Sequence, residues 1–165
     1  SGLIVGMGET YEDLVDVAFE LADIEAESIP VNFLLPIEGN PINDPRCEGR
    51  PLDSGVVLRV LSMMRLVNPA AEIRVAAGRE QHLRSAQALA LWPANSLFID
   101  GYLLTEGDNA SATLRMMVDA GFRPVLEEGD WPEAVREMVE TGAAGPDPDA
   151  HLPRLKATVS AAAAN

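Results

Sequence analysis

Four times along this chain a short apolar run is followed by a segment whose apolar residues recur at helical spacing, and this alternation constrains the fold more than any single motif. Continuous apolar runs, each followed by a helix, point to strands paired in parallel through right-handed crossovers. The first run, Gly2-Leu3-Ile4-Val5, passes through the turn Gly6-Met7-Gly8-Glu9 to Thr10, a residue suited to cap the next helix. That helix sets Leu14, Val15, Val17, Ala18, Leu21 and Ala22 against Glu12, Asp13, Asp16 and Glu20. Ser28 to Pro36 is the second strand. It ends in Ile37 to Pro41, a loop with turn chemistry that the polar stretch Asn43 to Pro51 continues. The next helix starts at Asp53 or Ser54, runs through Val57, Leu61 and Met64, and stops at Asn68-Pro69.

Ala71 to Gln81 (AEIRVAAGREQ) is the densest passage. Ile73 and Val75 read as a short buried strand, and Gly78 permits a tight exit into a helix running from about Glu80 to Leu91. Arg74 therefore lies inside a strand, and its permanently charged guanidinium must be solvated, paired or functional. The fourth strand is Ala94 to Ile99. After Asp100 to Gly107 a helix spans about Ala112 to Ala120, with Gly121 as its C-cap. Four such units make an α/β fold of parallel (β/α) repeats, the half of a (β/α)₈ TIM-type barrel, over residues 1–127. Residues 128–165 read as one helix, near Trp131 to Thr141, and a partly disordered, low-complexity tail.

Composition narrows the partners. Twelve basic against 26 acidic residues give a net charge of -14, which disfavours nucleic acid and anionic membranes. No apolar run approaches the roughly 20 residues of a membrane span, and no secretory leader pattern is present, so a cytoplasmic location is expected. Cys47 is the single cysteine, so an internal disulfide is excluded and a thiolate metal site cannot come from this chain alone. Because Ser1 falls inside a strand pattern, the chain reads as truncated.

Each candidate residue has a plain structural reading. Arg74 suits an arginine paired with a carboxylate, and Asn32, between Val31 and Phe33, suits an amide that satisfies a loop. Gly6-Met7-Gly8 lacks the full GxGxxG nucleotide fingerprint, since Tyr11 stands at its third glycine. Cys47 reads as a surface thiol, and His82 and His151 as packing or solvated side chains, since neither has a ligand-spaced partner. Glu9, Glu38 and Glu80 flank helices, where capping explains an acid. Asn32, Arg74 and the Gly6–Gly8 turn all lie near the C-terminal ends of strands, where barrels of this kind place their chemistry.

Four segments taken together, Ser1 to Thr10 (SGLIVGMGET), Pro30 to Leu34 (PVNFL), Arg74 to Gln81 (RVAAGREQ) and Ala94 to Phe98 (ANSLF), resemble in order and interval the C-terminal half of the biotin synthase family. The resemblance covers about residues 1–127. It implies a radical SAM enzyme on a complete (β/α)₈ barrel, in which a four-iron cluster (4Fe-4S) held by a CxxxCxxC loop cleaves S-adenosyl-L-methionine. A two-iron cluster (2Fe-2S), held by three cysteines and an arginine, then supplies the sulfur inserted into dethiobiotin. Residue by residue, Arg74 matches the arginine ligand of the two-iron cluster and Asn32 an asparagine that binds the ureido ring of dethiobiotin. Ile4 and Leu35 match positions lining the adenosyl group, and Thr105 falls where the substrate carboxylate is bound. Glu106 stands where relatives can carry a second threonine. The sulfur ligands, including a cysteine expected just before Ser1, lie outside this chain, so the fragment alone is expected to be inactive. The resemblance further implies flavodoxin or ferredoxin as electron donor and a homodimer at full length. Two other readings stand beside it: a non-catalytic half-barrel that associates through its open edges, and a related radical SAM enzyme with a different substrate.

Overall fold

The computed structural model describes residues 1–35, 52–99, 108–126, 130–131, 133–142 and 155–159. Two compact units divide the chain, Ser1–Ala94 and Asn95–Asn165. The first runs β1 (Leu3–Val5), α1 (Tyr11–Asp23), β2 (Ser28–Phe33), α2 (Ser54–Val67), β3 (Glu72–Val75) and α3 (Arg79–Leu83), followed by a 3₁₀ helix, Arg84–Leu91. β1 pairs with β2 and β2 with β3, both in parallel, as the alternation of runs and helices predicts.

The strands alternate sharply in burial. Val5, Ile29, Val31, Phe33, Ile73 and Val75 are each 1% exposed or less, and they form one face of the sheet. The core also takes Leu14, Ala18 and Leu21 from α1 and Val57, Val60, Leu61 and Met64 from α2. The opposite face, with Ile4, Ser28, Pro30, Asn32, Glu72 and Arg74, is half-buried or exposed. The strands expected to be buried throughout are thus fully buried on one side only, and the polar residues collect on the other.

Local chemistry fixes the helix ends. Thr10 and Asp13 form a reciprocal capping box on α1, and the Asp53 carboxylate accepts from Val56 N to cap α2. At the far end of α2 the buried amide of Asn68 donates to the carbonyls of Ala18 and Met64, tying α1 to α2. Arg65 donates from Nε to Pro93 O and from Nη1 to the carbonyls of Asn68, Pro69 and Ala71. Burial pushes its pKa down, and the carbonyls around it compensate the desolvated cation.

The helix expected over Glu80 to Leu91 is a single α-helical turn and then a 3₁₀ helix, with the break at Arg84, whose φ is 51°. A 3₁₀ helix rises about 2.0 Å per residue against about 1.5 Å in an α-helix, so the same residues reach further and bring Ala90 and Leu91 into the core.

The second unit contains β4 (Ser96–Ile99), α4 (Ala110–Asp119), β5 (Pro124–Leu126), α5 (Glu133–Gly142) and β6 (Leu155–Val159). Asn109 caps α4 through Ala112 N. α5 forms where the sequence predicts it. β5 and β6 go beyond the sequence reading: β6 lies between β4 and β5 and pairs in parallel with both.

Gly78 has φ 87°, and a Cβ there would sit 2.3 Å from the Phe33 carbonyl oxygen. Gly121 has a similar φ of 83°, but beyond its own chain neighbours no heavy atom of the described residues lies within 4 Å of its Cβ position. Gly78→Ala is therefore expected to destabilise by more than about 2 kcal/mol and Gly121→Ala by only about 1 kcal/mol, compared by urea unfolding. The Asp13 carboxylate is held below its ordinary 3.8, first by the Thr10 backbone N–H and then by the Thr10 hydroxyl. A depressed carboxylate stabilises above its unfolded pKa and loses that effect as pH falls through the folded one. The stability difference between wild type and Asp13→Asn should therefore shrink below about pH 3.8 in acid titrations followed by circular dichroism.

Candidate functional site

The half-covered face of the first sheet brings together most of the residues singled out in the sequence. Register places Ile4 beside Asn32, Pro30 beside Arg74, and Ser28 beside Glu72. Arg74 Nη2 donates to Glu72 Oε1, and Ser28 Oγ donates to the same oxygen at 3.2 Å. The side chains of Arg74 and Glu72 are 18% and 10% exposed, so the pair is only partly screened by water. The carboxylate-paired reading of Arg74 is thus realised, and its partner is two positions earlier on the same strand face. Sequence reasoning did not single out Glu72, although same-face spacing in a strand was the signal that could have found it.

Asn32 is tied on both sides. Its Nδ2 donates to Leu3 O at 3.3 Å, and its Oδ1 accepts from Ala77 N at 3.2 Å. It therefore links the strand before it to the turn after β3. An amide carries two N–H donors and two acceptor lone pairs, and these bonds use one of each. Ile4 is 49% exposed on this face, and Leu35 is half-buried just past the end of β2. Thr105 lies outside the described residues, as do Glu106, Glu38, Cys47 and His151.

The Gly6–Gly8 turn is closed by its own acid. Glu9 accepts from Gly6 N at 2.6 Å and from Met7 N at 2.7 Å, so the amides a phosphate would need already hold a carboxylate. Beside it, Val5, Gly8, Tyr11, Leu14, Leu52 and Val56 line a recess no larger than a single water. Arg59 donates to Tyr11 Oη at 3.0 Å and stacks over the ring. Arg79, in the AGREQ segment, is 1% exposed; it donates to Gln87 Oε1 at 2.6 Å and to Glu80 Oε1 at 2.5 Å. That burial makes Arg79 a packing residue at the base of the turn, and it assigns Glu80 a partner that capping alone did not predict.

Among the described residues no three His, Cys, Asp or Glu side chains gather as a metal site. Nor is any described helix long and apolar enough to cross a membrane. Within the first unit, then, an arginine, an acid and an asparagine sit on the sheet face that the helices leave half-covered, which defines a parallel α/β protein with a polar sheet-face site. The chain belongs to the family described as the Biotin and Thiamin Synthesis associated domain, which it matches over residues 30–123. It is 54% identical over 122 residues to the biotin synthase of Acaryochloris marina, an alignment covering 74% of this chain and 34% of that protein. It is 51% identical over 130 residues to the biotin synthase of Leptospira interrogans, covering 79% and 36%, and 44% identical over 140 residues to that of Saccharopolyspora erythraea, covering 85% and 38%. The chain thus spans about a third of the length of the curated relatives it matches.

Removing Glu72 takes from the partly buried Arg74 guanidinium the carboxylate it donates to. Glu72→Ala should cost about 1–3 kcal/mol, and the double change Glu72→Leu with Arg74→Met should recover most of it, both measured by urea unfolding.

Proposed function

We propose that this chain is the C-terminal part of a biotin synthase-type radical SAM enzyme and that, within a longer chain, it helps convert dethiobiotin to biotin by sulfur insertion. In this reading residues 1–127 form the second half of a (β/α)₈ barrel and residues 128–165 a helix plus tail. The observation that carries it is the placement of Arg74, Asn32 and Ile4 on one half-covered sheet face, in a chain about half identical to biotin synthases over three quarters of its length.

The residues present fit the proposed ligands to different degrees. Asn32 keeps one donor and one acceptor beyond its two backbone bonds, which suits a ureido group that offers both a carbonyl and N–H groups. Ile4 and Leu35 would supply apolar surface to an adenosyl group, and Thr105 would hold the carboxylate tail. Arg74 would be the single ligand this chain gives the two-iron cluster. Its ion pair with Glu72 favours the guanidinium, which has no lone pair for iron, so ligation requires the guanidinium to lose a proton, and Glu72, to which Nη2 already donates, is placed to accept it. The clusters and S-adenosyl-L-methionine would supply the radical and the sulfur; the three thiolates cannot come from 165 residues with one cysteine. By itself this stretch is inactive in this reading. A flavodoxin or ferredoxin as electron donor, a homodimer and a cytoplasmic location belong to the same proposal.

The test is to express the full open reading frame, reconstitute iron and sulfide without oxygen, and assay dethiobiotin conversion. Biotin should form. Asn32→Ala should raise KM for dethiobiotin about tenfold, the weight of one good hydrogen bond. Arg74→Ala should alter the visible absorption of the two-iron cluster, and an unchanged spectrum would remove Arg74 from the ligand set. A reconstituted protein that makes no biotin overturns the function.

A further inference from the structure

His82 is a side chain of the first unit that the proposed function does not use and that is tied at both ring nitrogens. Its Nδ1 lies 3.0 Å from the Leu52 carbonyl oxygen, and its Nε2 lies 2.9 Å from the Leu34 carbonyl oxygen. Its ring meets Phe33 edge to face, with centroids 6.5 Å apart. Its own carbonyl accepts from Ser54 Oγ at 2.8 Å. One residue on α3 thereby holds the end of β2 and the start of α2 at once. Both ring nitrogens face carbonyl oxygens, which leaves neither directed at a metal ion.

The clasped segments converge on the glycine turn. A Cβ on Gly6 would lie 2.6 Å from Leu52 Cδ1 and 3.3 Å from Leu34 Cβ, so both leucines press against the backbone of that turn. Leu35, next to one clasped carbonyl, and Ile4, two residues before Gly6, are the positions proposed above to line the adenosyl group. Displacing Leu34 or Leu52 would move that wall without touching Asn32, whose bonds run to Leu3 and Ala77.

We propose that His82 is a positioning residue: by bridging the Leu34 and Leu52 carbonyls it fixes the wall that receives the nucleoside end of S-adenosyl-L-methionine. This rests on the function proposed above for Ile4 and Leu35. One ring N–H donates to a carbonyl in either neutral tautomer, and both donate in the imidazolium, so a carbon-only ring of similar shape removes the clasp and keeps the contact with Phe33.

Two measurements test it. In this chain, His82→Phe should shift the backbone carbonyl ¹³C resonances of Leu34 and Leu52 and leave that of Leu3 in place. Unmoved resonances at Leu34 and Leu52 overturn the clasp. In the reconstituted enzyme containing this chain, His82→Phe should weaken equilibrium binding of S-adenosyl-L-methionine at least fivefold while dethiobiotin affinity changes less than twofold. His82→Gln, which keeps one donor nitrogen, should fall between Phe and wild type. Equal losses for both ligands, or none, overturn the positioning role. If the wild-type enzyme binds S-adenosyl-L-methionine but makes no biotin, the functional reading fails while this binding comparison still decides the role of His82. If it binds none, both fall.

Discussion

The backbone at Gly78 runs so close to the Phe33 carbonyl that no side chain fits between them, and much of the first unit depends on that approach. Phe33 closes β2 and Gly78 opens α3, so their contact joins the end of one strand to the turn that follows its neighbour. The Phe33 amide donates to Ala77 O at 2.8 Å, and the Leu34 amide to Val5 O at 2.8 Å, which extends the parallel ladder past the strand ends. The positive φ at Gly78 then reverses the chain into α3. Asn32, Arg79 and His82 all take their places from this turn.

A second constraint is that the described helices of the first unit bury one side of its sheet. Burying Ile29, Val31, Phe33, Ile73 and Val75 completely leaves Ser28, Pro30, Asn32, Glu72 and Arg74 facing the other way by strict alternation. A charged residue on that side needs a counter-charge within reach, and Glu72 is the nearest one the strand can offer Arg74. The polar character of this face and the apolar character of the core are one pattern read on alternate residues.

Much of this was legible in the sequence. Parallel pairing followed from the alternation of apolar runs and helices, Thr10 and Asp53 marked helix starts, and Gly78 marked the turn. Ser28 to Pro36 reads as one continuous apolar strand, although within Ser28–Phe33 the residues Ser28, Pro30 and Asn32 alternate with Ile29, Val31 and Phe33 and carry the two-sided pattern. The break at Arg84 had no signal, because no glycine or proline stands there and burial of Ala90 and Leu91 decides the winding. β5 is three residues opened by a proline, and β6 gains its partners only through pairing distant in sequence, so neither shows in a local window. The clasp of His82 was hidden because both acceptors are main-chain carbonyls, which any residue type provides. The arginine and asparagine of the sheet face stood out by type, but their hydrogen-bond partners emerged only with the register.

The carboxylate of Glu9 seated on the amides of Gly6 and Met7 makes the glycine turn self-sufficient. A loop whose main-chain donors wait for a ligand relaxes when that ligand leaves and must be ordered again at each encounter. Here the acid substitutes for the guest permanently, so the turn holds one shape through arrival and departure, and whatever docks beside it meets a surface whose entropy of ordering was settled during folding.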